Sequence, residues 1–154
     1  MATDANGNTI FGRYSVGLHN VGSYQSSGKP FITGSTLSAI DTVHMIEFPS
    51  VSKSFTVINT DASNAIRVHF QTGSGAAVTV PGLTGEQPIL GTADVIALKH
   101  FVTIAYGSSL TMDVKCKKFY VSAPDAAASY QVFAELTNIP TDRMYHLTGS
   151  GITE

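Results

Sequence analysis

Five histidines, eleven acidic residues and a single cysteine are the side chains of this sequence with the most obvious capacity for chemistry. His19, His44, His69, His100 and His146 stand at least 25 residues apart, with neither His-x-His nor His-Glu-x-x-His among them. Those spacings put two imidazoles on one ion; without them a metal site must be assembled from remote strands. The histidines therefore read as solvent-facing or interface residues. The carboxylates, among them Asp41, Glu47, Asp61, Glu86, Asp113 and Glu135, are isolated along the chain. Glycoside hydrolysis needs two of them across one sugar bond, and with no Trp in the sequence the usual aromatic platform for a sugar is thin. Asp61 and Asn64 could offer oxygens to Ca²⁺, but a turn in which Asp61 caps its own backbone accounts for both without an ion.

Nucleophiles fare no better. There is no Gly-x-Ser-x-Gly elbow, and Gly73-Ser74-Gly75 and Gly149-Ser150-Gly151 read as plain turns, since neither leads from a strand into a helix as a phosphate loop must. Cys116 falls in step with Met112 and Val114 on the apolar side of a strand, which reads as an inert buried thiol. With one cysteine, neither an internal disulfide nor a Cys-based zinc site can form. Lys115-Cys116-Lys117-Lys118 is the only basic cluster; strand periodicity sends Lys115 and Lys117 to one polar face. The expectation is a protein that is not an enzyme and takes no cofactor.

The elements that position these residues are strands. In Ile66-Arg67-Val68-His69-Phe70-Gln71 the apolar residues occupy one face of a pleat and the polar ones the other. Tyr130-Gln131-Val132-Phe133-Ala134-Glu135-Leu136 repeats the pattern, broken only by Phe133. No run at i, i+3, i+4, i+7 is sustained, and Val, Ile, Thr, Phe and Tyr crowd the candidate segments. The predicted strands are Ile32–Thr36, Val43–Phe48, Ser54–Asn59, Ala65–Gln71, Ala77–Val80, Val95–Leu98, Val102–Tyr106, Leu110–Cys116, Lys118–Ala123 and Tyr130–Thr137. Helix is expected only as a short turn, at Ser35–Ile40 or Asp125–Ala128. Strands every ten residues or so, with turn signals between them, define an all-β sandwich or barrel.

Two joints carry information. Asp61-Ala62-Ser63-Asn64 is predicted to close a hairpin between the strands on either side. Between Cys116 and Phe119 the apolar positions change from even to odd numbers, which calls for a tight turn at Lys117-Lys118 or a bulge. Pro81–Gly91 is the longest predicted loop. Residues 1–35, with scattered aromatics among glycines, read as an arm ending in one or two short strands; residues 36–140 as the sandwich; and residues 141–154 as a tail whose Met144, Tyr145 and Leu147 can dock on a neighbour.

Composition sets the limits. A chain of 154 residues suits one domain, with a radius of gyration of about 15 Å. Charged residues are only 13%, while 16 Ser and 17 Thr make the solvent-facing positions largely neutral, which suits permanent neighbours. A net charge of −2 and no Lys/Arg stripe argue against nucleic acid as a partner, and no run of apolar residues is long enough to span a membrane. The polar start of the sequence lacks a signal-peptide pattern, so synthesis and assembly in a cytosol are expected.

The stretch from Lys118-Phe119-Tyr120-Val121-Ser122 through Tyr130-Gln131-Val132-Phe133-Ala134-Glu135-Leu136-Thr137-Asn138-Ile139-Pro140 resembles the closing strands of single jelly-roll virion proteins of icosahedral dsDNA viruses and phages. The likeness covers roughly residues 40–140 and is one of pattern. It implies a single jelly-roll-like antiparallel β-sandwich of about eight to ten short strands with an extended N-terminal arm. It further implies a penton, minor capsid or decoration subunit, assembled in a host cytoplasm into the virion, whose partners are other copies of itself and the major capsid protein or other virion proteins. In that role Phe11, Tyr14, Tyr24 and Phe31 of the arm, with Met144 and Tyr145 of the tail, are the expected interface residues, and deletion of residues 1–30 should abolish assembly. The competing class is a carbohydrate-binding or adhesin module, which calls for a cluster of exposed tyrosines among Tyr24, Tyr106, Tyr120, Tyr130 and Tyr145. An enzyme of cupin or glycosidase type is the third.

Overall fold

A computed structural model describes residues 30–40, 42–70, 77–79, 86–88 and 101–145. Ten strands follow one another: β1 (Pro30–Leu37), β2 (Val43–Glu47), β3 (Ser52–Asn59), β4 (Ile66–His69), β5 (Ala77–Thr79), β6 (Glu86–Pro88), β7 (Val102–Ile104), β8 (Ser109–Met112), β9 (Lys118–Ser122) and β10 (Ala128–Leu136). They form two sheets, one ordered β1-β10-β3-β8 and the other β6-β5-β2-β9-β4-β7. All pairs are antiparallel except β2 with β5. With β5 and β6 set aside, the remaining eight strands run 1-8-3-6 in one sheet and 2-7-4-5 in the other, the two nested Greek keys of a jelly roll. The expected all-β sandwich is what the chain forms. No helix among the described residues is long and apolar enough to cross a membrane.

The period of two explains why these segments pair as they do. Along β10, Ala128, Tyr130, Val132, Ala134 and Leu136 are buried, while the residues between them are exposed or half-buried. The buried set of the first sheet faces Ile46, Phe48, Ile66, Val68, Phe119 and Val121 of the opposing layer. Aromatic rings run through this core: Phe55 stacks on Phe119 at 4.4 Å, both lie beside Phe48, and Phe31 meets Phe48 edge-on at 5.1 Å. Each fully buried Phe contributes roughly 1.5–3 kcal/mol from area alone. A satellite cluster of Val51, Ile139 and Met144 closes one end, held by Val51 N–H donating to Ile139 O at 2.9 Å and Thr137 N–H to Val51 O at 2.8 Å.

Several expectations need correction. Residues 61–64 do not close a hairpin, because β3 and β4 lie in different sheets and the loop crosses from one layer to the other. Its chemistry is nonetheless the predicted one: Asp61 Oδ1 accepts the backbone N–H groups of Ser63 (2.9 Å) and Asn64 (2.8 Å). The parity change between Cys116 and Phe119 is likewise a change of sheet; β8 ends at Met112, and the chain crosses over before β9 begins at Lys118. Neither Ser35–Ile40 nor Asp125–Ala128 forms a helical turn; β1 continues to Leu37, and the helical turn among the described residues is a 3₁₀ turn at Thr141–Arg143. Within the expected loop 81–91, Glu86–Pro88 pairs with β5 as a strand. The predicted strand Val95–Leu98 and the arm up to residue 29 lie outside the described residues.

Candidate functional site: the β1 edge and the outer face of the first sheet

Strand β1 lies at the edge of the first sheet, and all eight of its residues pair with β10, from Pro30 opposite Glu135 to Leu37 opposite Ala128. Alternation sends Phe31, Thr33, Ser35 and Leu37 inward and Pro30, Ile32, Gly34 and Thr36 outward. No residue of β1 carries a charge. Edge strands of soluble proteins are commonly guarded by charge, proline or a bulge, and within β1 itself only Pro30, at the first position, is of that kind.

The outer face continues this neutrality. One cross-strand row reads Ile32, Phe133, Thr56, Thr111 and the next Gly34, Gln131, Ile58, Ser109. Ile32 is 72% exposed and Phe133, its direct neighbour, 41%. Hydroxyls cross-link the rest of the face, Thr36 to Ser129 at 2.9 Å and Thr56 to Thr111 at 2.8 Å. The nearest charges are Lys53 and Glu135, 3.4 Å apart at the Pro30 end; such an exposed pair adds little stability. Gly34 is required where it stands, since a Cβ there would lie 2.9 Å from Tyr130 O and 3.2 Å from Gln131 Cγ. The inward Phe31 borders two open grooves of about 520 and 560 Å³, one between β1 and β2 and one beside Pro49 and Pro140.

Of the six expected interface residues, the structure describes Phe31, Met144 and Tyr145. Phe11, Tyr14 and Tyr24 lie outside the described residues. Phe31 is half-buried against Phe48, Met144 is buried against Val51 and Ile139 of its own chain, and Tyr145 beside it is exposed. Ile32 was not singled out from the sequence, although its place in β1 opposite the anomalous Phe133 is the signal that marks it. Of the tyrosines proposed for sugar binding, Tyr120 and Tyr130 are buried. Tyr106 and Tyr145 are exposed but sit at opposite ends of β3, on the order of 20 Å apart.

Two histidines expected at the surface are buried instead. His44 shares the inner face of β2 with Ile46, and its Nδ1 is 2.9 Å from the hydroxyl of Tyr130 on β10, so one hydrogen bond joins the two sheets. Burial pushes the His44 pKa down and the Tyr130 pKa up, which keeps both neutral. On the other face of the same sheet His69 stacks on Tyr120 at 5.7 Å, with Nε2 3.0 Å from Ser122 Oγ. The described residues contain no group of three or more His, Cys, Asp or Glu placed to hold a metal ion. Cys116 is buried as expected; desolvation raises its thiol to about 11, partly offset by its hydrogen bond to Ser52. Asp61 is held below the usual carboxylate range by the amides of Ser63 and Asn64. Lys117 leaves the predicted solvated face and donates to Met144 O at 3.2 Å.

Compared with models of known protein families and with curated proteins, the sequence matches none.

Proposed function

We propose that this chain is a structural subunit of a virion, a penton, minor capsid or decoration protein that works by surface contact with other copies of itself and with the major capsid protein, without catalysis. The observation that carries this reading is the jelly-roll strand order joined to an edge strand, β1, whose residues carry no charge. The fold alone would not suffice, because jelly rolls also host lectins and cupins. The site narrows the choice. An uncharged edge strand beside a neutral, partly apolar face suits contact between proteins. Among the described residues, the two buried tyrosines and the separation of Tyr106 from Tyr145 furnish no ring cluster of the kind a sugar-binding module needs.

The experiment is the mass of the purified chain at neutral pH, by light scattering and native mass spectrometry, alone and mixed with a major shell protein. A closed oligomer, or stoichiometric uptake onto shells, is the expected result. A monomer that ignores shells and retains glycans on an array would overturn the reading.

A further inference from the structure

We draw no further inference here: the strongest candidate, the exposed apolar strip of Ile32 and Phe133 on the outer face of the first sheet, carries nothing because nothing in the structure shows what covers it.

Discussion

The hydrogen bond between His44 and Tyr130 makes the fold sensitive to acid, with a sign and slope that follow from its position. His44 is 4% exposed and its folded pKa lies below the ordinary 6.5, because burial disfavours the imidazolium. The unfolded chain therefore binds the proton first. Stability from this group is complete above pH 6.5 and falls as the pH drops toward the folded pKa, at up to about 1.4 kcal/mol per pH unit for one proton. In a chain of this length each kcal/mol lowers the melting temperature by roughly 2–4 °C. The assay is urea unfolding at half-unit steps from pH 7.5 to pH 5, on wild type and on His44→Gln, where the amide replaces the titrating ring (pH values chosen to straddle about 6.5). The wild type should weaken across that window, and the variant, less stable at neutral pH, should show a flatter profile by up to one proton. Identical slopes in the two proteins would refute the assignment.

Three further outcomes follow from the packing. Gly34→Ala drives a methyl group into Tyr130 O and should cost about 1–3 kcal/mol, read as a lower urea midpoint at unchanged slope; a neutral result would mean that β1 and β10 can separate freely. Phe55→Ala removes the ring stacked at 4.4 Å on Phe119 and should cost about 3–5 kcal/mol by thermal unfolding, whereas Phe133→Ser on the outer face should stay within about 0.5 kcal/mol. Cys116 should resist a thiol reagent in the native protein and react at once in denaturant; rapid native labelling would contradict its burial and raised pKa.

Much of the sandwich was legible because a strand with one wet face writes its orientation into the sequence. In β10 the alternation identifies both faces, and its one anomaly, Phe133, marks the exposed apolar strip. Pairing was not legible. Residues 61–64 carry turn chemistry that serves a hairpin and a layer crossing equally well, since Asp61 caps the same two amides in either case. What decides between them is the partner of β3, and β3 pairs with β10 and β8, more than 45 residues away in sequence. The buried histidines were half legible. Parity places His44 with Ile46 and Phe48, inside the core, but its hydrogen-bonding partner is 86 residues distant, and only that partner makes a buried imidazole tolerable.

The low charge of this chain and the neutrality of its β1 edge strand bear on each other. A monomer that spends its life in solution gains from lysines on its edge strands, because they block the pairing of one sheet with another. Here the eight residues of β1 carry none, and the outer face beside them is closed by hydroxyl pairs and two apolar side chains. Such a surface is a liability only while it is uncovered. Once a neighbouring protein covers it, the same neutrality becomes an advantage, since no charge has to be stripped of water at the contact.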